Sequence, residues 1–269
     1  MSVNTKTFSL DKGPLFSVLI PTRNRPSLTA DLIKSVLSQS FLDFELIVAD
    51  NSSDEETQTI LRNVSDPRLI NLKTGGLNMA ENWDTGISVC SGSYLLLFSD
   101  KMVLKEGSLD YLASYIKKYS PDCVNWDIDS FFDSELTYIK NKPSSYEAII
   151  KSSSLLKMIL TSEFDSVRIP CHCNSAISMS VIRSIKAKTG NVSMQLNPDY
   201  TLSYQVLINI NEVHNLDKPL SILRYPSLKS GYGNGTSFML KGEQAKNFML
   251  DNADWIDRTN KYTAVRIHS

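Results

Sequence analysis

Short apolar runs alternate with stretches of helical periodicity through the first half of the chain. The apolar runs have the composition and length of strands, and they cover residues 15–20, 44–49 and 94–98. Behind Ser27, around Leu61 and over residues 78–89, apolar residues recur three or four positions apart, which predicts amphipathic helices with Ser27 as the N-cap of the first. Because strand and helix alternate four times, the pattern predicts an α/β fold with a mostly parallel, doubly wound sheet.

Polar and charged side chains follow each of the three apolar runs. They are Pro21, Thr22 and Arg23 after the first run, Asp50 and Asn51 after the second, and Ser99, Asp100 and Lys101 after the third. In open α/β sheets, ligands bind beyond the carboxyl ends of the strands. We therefore expect a ligand site at this edge of the sheet, with Asp100 and Lys101 facing it.

The pattern is weaker after Asp133. It predicts helices over residues 146–160 and around 202–207, strands over 192–196 and 220–223, and a terminal helix over 241–256. The glycine-rich stretch 230–236 follows Arg224 and Lys229 and has the composition of a lid, with an ordinary mobile loop as the alternative.

The composition indicates which classes of partner and which cellular compartment fit this protein. Lys and Arg number 28 against 29 Asp and Glu, so no overall charge favours nucleic acid, and any polyanion must bind locally. Residues 1–13 have no signal-peptide core, and no apolar run reaches the roughly 18 residues of a membrane span. Four scattered cysteines fit a reducing compartment. We therefore expect a cytoplasmic protein.

Four blocks of the first hundred residues resemble the family 2 glycosyltransferases, and they occur in the family's order. The blocks are SVLIPTRNRP at 17–26, SVLSQSF at 35–41, FELIVADNSS at 44–53 and GSYL at 92–95, with looser likeness at 197–200 and 217–220. The resemblance implies the GT-A, Rossmann-like fold of nucleotide-diphospho-sugar transferases in one domain over residues 1–269. It assigns about 15–131 to nucleotide-sugar binding and about 132–269 to acceptor binding and a C-terminal helix.

The resemblance also implies an activity. The protein would be an inverting glycosyltransferase that moves a sugar from a nucleoside-diphosphate sugar, with a UDP-sugar favoured, to a hydroxyl of a glycan or lipid-linked glycan. The setting would be bacterial surface polysaccharide assembly, with peripheral association at the inner face of the membrane through a lipid-linked acceptor and no nucleic-acid partner. A sugar-nucleotide binding protein without turnover is the alternative. A related nucleotidyltransferase is disfavoured, because residues 21–24 replace the glycine-rich, lysine-bearing loop that it needs.

The resemblance implies that the donor is bound by residues at the predicted strand ends and at one later helix start. These residues are Pro21, Thr22, Arg23, Asp50, Asn51, Asn78, Ser99 and Asp100. A carboxylate at position 50 can accept hydrogen bonds from a base or a ribose, and Arg23 can bind a phosphate or ribose oxygen. The alternative is that Asp50 only caps a helix and Arg23 is a solvated loop charge.

The end of the third apolar run departs from the family pattern. Relatives usually carry two or three acids there, which hold a divalent cation against the diphosphate, whereas here Asp100 matches the first acid and Lys101 replaces the metal ligand. One carboxylate is a poor cage for Mg²⁺ or Mn²⁺, although phosphates and water could complete the coordination. We therefore expect Asp100 as the metal-ligand candidate, weak metal dependence, and a Lys101 ammonium that neutralises the leaving diphosphate. Alternatively, Lys101 pairs with Asp100 or Glu106 and catalysis is lost.

Asp199 is the positional match to the family's catalytic base, which stands at the start of a later helix, and a helix N-cap is the alternative role. Cys171, His172 and Cys173 are a weak zinc signal, and contact of His172 or Asn174 with acceptor hydroxyls is the other interpretation. Trp126 is expected near the cleft, where it could stack on a sugar ring. Trp83 and His214 are expected to be structural.

Overall fold

A computed structural model describes residues 13–140, 148–161, 169–194 and 198–225. Its strands are, in chain order, β1 (Phe16–Thr22), β2 (Phe44–Asp50), β3 (Leu69–Lys73), β4 (Tyr94–Leu97), β5 (Met102–Leu104), β6 (Cys123–Asn125), β7 (Ile128–Phe132), β8 (Thr137–Ile139), β9 (Ala148–Lys151), β10 (Ser175–Ser178), β11 (Glu212–Asn215) and β12 (Ser221–Tyr225). The helices are α1 (Pro26–Leu37), α2 (Glu56–Arg62), α3 (Met79–Ser88), α4 (Ser108–Tyr119), α5 (Ser152–Leu160), α6 (Met179–Thr189) and α7 (Pro198–Asn209).

The central sheet has eight strands in the order β3-β2-β1-β4-β10-β6-β11-β9. The first four are parallel, and β10 is antiparallel to both β4 and β6, so that β6 and its parallel neighbour β11 run in the direction of β4. Only β9 and β10 of these described strands run the other way. The predicted α/β fold with a mostly parallel sheet is confirmed.

Helices cover both faces of this sheet because its strands are apolar on both sides. Side chains of β1 and β4 alternate between two layers: Val18 and Leu96 pack in the layer that also contains α1 and α4, and Leu19 and Leu95 pack with α3, α6 and α7. The strand ends at the carboxyl edge are thus anchored by a core on each side, and the loops that follow them stand on a rigid base.

A second sheet of four short strands, in the order β5-β12-β7-β8, was not predicted. Its strands have three to five residues and many half-exposed positions, so their sequences carry little periodic signal. Strand β5 begins one residue after Lys101, and the backbone N–H of Arg224 on β12 donates to the Lys101 carbonyl oxygen (2.9 Å). The small sheet therefore holds the loop that follows β4.

Three predicted elements differ from the structure. Helix α1 begins at Pro26 with Arg25 as its N-cap, so Ser27 is inside the helix, because proline fits the first helical position without losing a hydrogen bond. The helix predicted over 146–160 is β9 followed by α5, since residues 148–151 pair with β11 at the sheet edge. Residues 192–194 are not a strand, and 195–196 lie outside the described residues, as do Lys229, the predicted lid and the terminal helix.

Trp126 was also predicted wrongly. Its side chain is completely buried in the core, and its indole N–H donates to the hydroxyl of Ser221 (3.0 Å), so it cannot stack on a sugar. Trp83 is buried, as predicted, and His214 lies buried on β11 within 3.1 Å of the Tyr115 hydroxyl. No helix in the described parts of the chain is long and apolar enough to cross a membrane.

Gly92 precedes β4 where the chain passes close to β1, and its N–H donates to the hydroxyl of Ser17 (2.8 Å). A β-carbon at Gly92 would lie 2.6 Å from the Ser17 backbone nitrogen and 2.8 Å from the Phe16 carbonyl carbon. Because backbone atoms of a central strand cannot move aside, we expect Gly92→Ala to lower the free energy of unfolding by about 3 kcal/mol in urea titrations.

The comparison variant for this prediction is Gly86→Ala. The added β-carbon at Gly86 would lie closest to the terminal methyl groups of Leu19, which can change rotamer. A loss of stability in Gly92→Ala no larger than that in Gly86→Ala would contradict the backbone explanation.

Candidate functional site

The predicted site residues lie at one edge of the central sheet. Strands β1, β2 and β4 are parallel, and the register places Thr22, the last residue of β1, beside Asp50, the last residue of β2. On its other side, the Thr22 hydroxyl donates to the Asp100 carboxylate beyond β4 (2.8 Å). Parallel strands that end together therefore bring Asp50 and Asp100 to either side of Thr22.

Asp100 is the centre of a buried polar cluster. The carboxylate is 3% exposed; Oδ2 accepts the hydrogen bond from Thr22, and Oδ1 accepts one from Nη1 of Arg25 (2.6 Å). Arg25 comes from the loop between β1 and α1, and its side chain is 13% exposed. Since the charge of Asp100 is paired and both oxygens are engaged, this carboxylate is fixed in position.

Lys101 stands half-buried beside this ion pair. Burial lowers the pKa of Lys101, and the nearby Arg25 guanidinium lowers it further, while Asp100 opposes both effects. The ion-pair partner of Asp100 is Arg25, so the predicted alternative, in which Lys101 neutralises Asp100, does not describe this arrangement. Two cationic side chains thus share the space around one carboxylate, which leaves positive charge for an anionic ligand.

The loop after β1 is joined to the loop after β2. Asn24 donates its N–H to the Ser52 hydroxyl (2.9 Å), and its side-chain oxygen accepts the N–H of Ser53 (2.9 Å). Pro21, near the end of β1, and Arg23, in this loop, are both half-buried. These contacts place the predicted phosphate-binding loop against the end of β2.

Asp50 and Asn51 turn their polar atoms inward. Asp50 is 1% exposed; its carboxylate accepts the Ser52 N–H (3.0 Å) and the side-chain amide of Gln58 (2.6 Å). The Asn51 side chain bonds to both the N–H and the carbonyl of Leu77 (3.0 and 2.6 Å). These residues therefore fix the shape of the loops beside β2.

Asn78 is the N-cap of α3 and forms a capping box with Glu81. Its side-chain oxygen accepts the Glu81 N–H (2.9 Å), so the oxygen of the amide caps the helix. The helix predicted over 78–89 is confirmed as α3.

Residues 171–174 form a turn against the loop that follows β4. Cys173 is buried next to the backbone of Ser99 and near the ammonium of Lys101. The His172 ring packs on Trp83 with ring centroids 5.1 Å apart. The Asn174 amide bonds within the protein at both ends, since it accepts from the Cys171 N–H (3.0 Å) and donates to the Trp126 carbonyl (3.1 Å).

Asp199 approaches the same region from α7, where it is the second helical residue and half-buried. Its Oδ1 accepts the Tyr200 N–H (3.0 Å). Burial lowers the pKa of His172, but Cys171 and then Asp199 raise it above the ordinary value, against a smaller lowering by Lys101. His172 therefore feels the charges of both Asp199, the predicted base, and Lys101, the predicted cation.

Three further residues shape the site and were missed from the sequence. Arg25, rather than Arg23, pairs with Asp100; Gln58 holds Asp50; and the Asp84 carboxylate accepts the N–H groups of Val192 and Ser193 (3.1 to 3.2 Å) ahead of α7. Burial raises the pKa of Asp84. Arg25 was visible in the basic loop, but only the side-chain direction distinguishes it from Arg23. The partners of Gln58 and Asp84 are distant contacts that carry no local signal.

A divalent cation does not fit these residues well. Asp100 already has Arg25 as its counter-ion, and no cluster of three or more His, Cys, Asp or Glu in the described chain could hold a metal ion. The same finding removes the zinc interpretation of Cys171, His172 and Cys173. Arg224, expected beside a lid, is instead paired with Asp133 and Asp31 (2.6 Å each).

Comparison with known proteins finds relatives that match this chain over part of their length, and solved structures with a similar fold. The chain is 31% identical over 103 residues to the GalNAc(5)-diNAcBac-PP-undecaprenol beta-1,3-glucosyltransferase of Campylobacter jejuni, covering 37% of this chain and 33% of that protein. It is 30% identical over 122 residues to a PGL/p-HBAD biosynthesis glycosyltransferase of Mycobacterium bovis, covering 43% and 47%. The matches thus span less than half of either relative. The crystal structure of S. aureus TarS 1-349 in complex with UDP-GlcNAc matches with a TM-score of 0.62 at 16% identity, over 93% of this chain and 74% of that one.

The family model described as Glycosyl transferase family 2 matches residues 17–186, which include every strand of the parallel half of the sheet and the cluster around Asp100. Since this match covers more than half of the 269 residues, the chain belongs to glycosyl transferase family 2.

Proposed function

We propose that this protein is an inverting glycosyltransferase that uses a UDP-sugar and transfers the sugar to a hydroxyl of a glycan or lipid-linked glycan in bacterial surface polysaccharide assembly. The observation that carries the proposal is the pairing of Asp100 with Arg25 and Thr22, next to Lys101, where β1, β2 and β4 end. Family membership supports the reaction class. The names of the two relatives, one of which contains PP-undecaprenol, support the acceptor class.

The donor would lie across the strand ends. Its nucleoside would rest against the loops after β2 and before α3, whose shape Asp50, Asn51 and Asn78 maintain. Its diphosphate would lie over the loop after β1 and the Ser99 to Lys101 turn, where Arg23 and Lys101 supply positive charge. The TarS crystal structures, which contain UDP-GlcNAc or UDP on a similar fold, support UDP as the nucleotide.

Transfer would proceed by direct displacement. The Asp199 carboxylate takes the proton of the acceptor hydroxyl, the hydroxyl oxygen forms a bond to the anomeric carbon from the face opposite the nucleotide, and the bond from that carbon to the diphosphate breaks. UDP departs with the extra negative charge, which the Lys101 ammonium stabilises. In this scheme Asp100 orients Arg25 and the loop after β1, and no metal ion takes part.

A sugar-nucleotide binding protein without turnover is the second candidate. The replacement of the usual metal-binding acid by Lys101 favours it, because the family's ordinary leaving-group stabiliser is then absent. Both candidates bind the donor, and only the transferase releases UDP when an acceptor is added.

Both candidates predict that UDP and UDP-sugars stabilise the folded protein. A ligand at one hundred times its dissociation constant adds about 2.7 kcal/mol, which for a chain of this size raises the melting temperature by about 5 °C or more. We expect this shift in a thermal-shift screen of UDP, UDP-glucose and UDP-N-acetylglucosamine, with ADP and ADP-glucose as controls. The shift should persist in excess EDTA.

A second measurement separates the candidates. Coupled detection of UDP release, with short glycans or undecaprenol-linked sugars as acceptors, should show acceptor-dependent turnover. Stabilisation without release over the full acceptor set would favour the binding protein, whereas no response to any nucleoside diphosphate would contradict both.

A further inference from the structure

The turn at residues 171–174 fixes the position of one sulfur atom. The carbonyl of Cys171 accepts hydrogen bonds from the Asn174 N–H (3.2 Å) and the Ser175 hydroxyl (2.5 Å), and its own N–H donates to the Asn174 side-chain oxygen (3.0 Å). Asn174 is itself tied to the carbonyl of Trp126. Cys171 is half-buried as a residue, and these hydrogen bonds hold its backbone in place.

The groups around this sulfur favour its thiolate form. Nδ1 of His172 lies 3.2 Å from it, and the neighbouring Cys173 thiol also favours its charged form. Together they hold the pKa of Cys171 well below the ordinary thiol value, although burial acts in the opposite direction. Beyond these neighbours, His172 faces Asp199 and Lys101, and Cys173 faces Lys101 and the Ser99 backbone. The hydrogen bond to Cys171 is the first cause that raises the pKa of Cys173 well above its ordinary value.

The chain contains its own controls. Cys90 is also half-buried, but burial raises its pKa to about 12, and its thiol donates to the Gly86 carbonyl (3.4 Å). Cys123 is completely buried, and burial raises its pKa as well. Reactive thiolate chemistry is therefore concentrated at Cys171.

We propose that Cys171 is a modification site for soft electrophiles, hydroperoxides among them, and that Cys173 is the resolving thiol that captures the oxidised sulfur. The Cys171 sulfur attacks one peroxide oxygen and gives it two electrons, the O–O bond breaks, and the expelled oxygen takes a proton to leave as water or an alcohol. Cys171 is then a sulfenic acid. The Cys173 sulfur attacks that sulfur, the S–O bond breaks, and the hydroxide leaves as water with the Cys173 proton, so that a Cys171–Cys173 disulfide remains.

This chemistry would occur next to the proposed reaction centre. Oxidation removes the thiolate beside His172. It also joins Cys173, which lies against the Ser99 backbone, covalently to Cys171. The modification site itself does not depend on the proposed transfer; only an effect on turnover would rest on that function.

The test is site-resolved alkylation of the full chain with isotope-coded iodoacetamide between pH 6 and pH 9, read by mass spectrometry. At pH 7 we expect Cys171 to react at least about tenfold faster than Cys90, and its rate to level off near neutral pH as the thiolate fraction saturates. Equal rates at Cys171 and Cys90, or a Cys171 rate that keeps rising through pH 9, would overturn the proposal. This part needs no variant.

Peroxide treatment tests the resolving thiol. Brief exposure to hydrogen peroxide should give a peptide with the Cys171–Cys173 disulfide, which dithiothreitol reverses. In Cys173→Ala the product should instead be a Cys171 sulfenic acid, trapped by dimedone. Recovery of both cysteines as free thiols while Cys90 is oxidised would contradict the assignment. Turnover is measured on the same samples, so a missing transferase activity does not affect the chemical result.

Discussion

Replacing Asp199 with asparagine should lower the rate of sugar transfer by about 10²- to 10⁴-fold, the usual contribution of a general base. Asparagine keeps the size and hydrogen-bonding shape of aspartate but cannot take the acceptor proton. Because Asp199 lies on α7 and is not among the residues proposed to bind the nucleotide, the stabilisation by UDP should be unchanged. The measurements are UDP release with saturating donor and acceptor, and thermal shift with UDP.

Asp110 gives a matched control for this change. It also lies in the first turn of a helix, α4, and accepts a hydrogen bond from the Ser40 hydroxyl far along the chain from Asp199. Asp110→Asn should alter turnover by less than about twofold, since surface changes of this kind cost little. Near-normal transfer by Asp199→Asn would remove Asp199 from the mechanism, and an equal loss in both variants would indicate a general effect on folding.

The Asp199→Asn substitution should also change the pKa of His172. In the wild type, Asp199 is one of the groups that raise the pKa of His172, while Lys101 lowers it. Loss of the Asp199 charge should therefore lower that pKa, so that His172 loses its proton at lower pH. An NMR titration of the His172 ring gives a readout that does not require turnover.

The sequence predicted the positions of the strands that build the site because these strands are buried on both faces. Residues 15–20, 44–49 and 94–98 are apolar almost without interruption, and each corresponds to a strand of the parallel half of the sheet. Parallel strands must end at the same edge, so the proximity of Asp50 and Asp100 followed from their places in the sequence. Of the second sheet, only β12 was predicted, as the strand over 220–223; β5, β7 and β8 lack such runs and were missed.

Side-chain direction within the site could not be predicted. Arg23 and Arg25 share one basic loop, yet it is Arg25, next to the start of α1, whose side chain forms the ion pair with Asp100. Asp50 was expected to face a ligand, but Gln58, eight residues later, turns its carboxylate into the protein. Trp126 was expected in the cleft, and its indole N–H is satisfied by Ser221 on a strand ninety-five residues away. Each outcome depends on a contact between distant parts of the chain.

Lys101→Ala should lower the turnover number by about 10²- to 10³-fold, because it removes the charge proposed to stabilise departing UDP. Lys101→Arg keeps a positive charge beside Asp100 and Arg25 and should retain much more activity. Lys117→Ala, an exposed change on α4, should have no measurable effect on turnover. Wild-type turnover should survive excess EDTA. Complete loss that Mn²⁺ alone restores would overturn the role proposed for Lys101.

The pH dependence of turnover distinguishes a Lys101 ammonium that stabilises departing UDP from a Lys101 side chain that only supports the structure. Burial first, and then Arg25, lower the pKa of Lys101 from its ordinary value of 10.5, so its charge is lost as the pH rises through a value below 10.5. Turnover of the wild type should therefore fall on the alkaline side before pH 10.5 is reached. In Lys101→Arg this decline should disappear or move to higher pH, because a guanidinium keeps its proton throughout the range. An alkaline decline that is identical in the two proteins would mean that another group titrates, and the stabilisation of UDP would then have to come from elsewhere in the site.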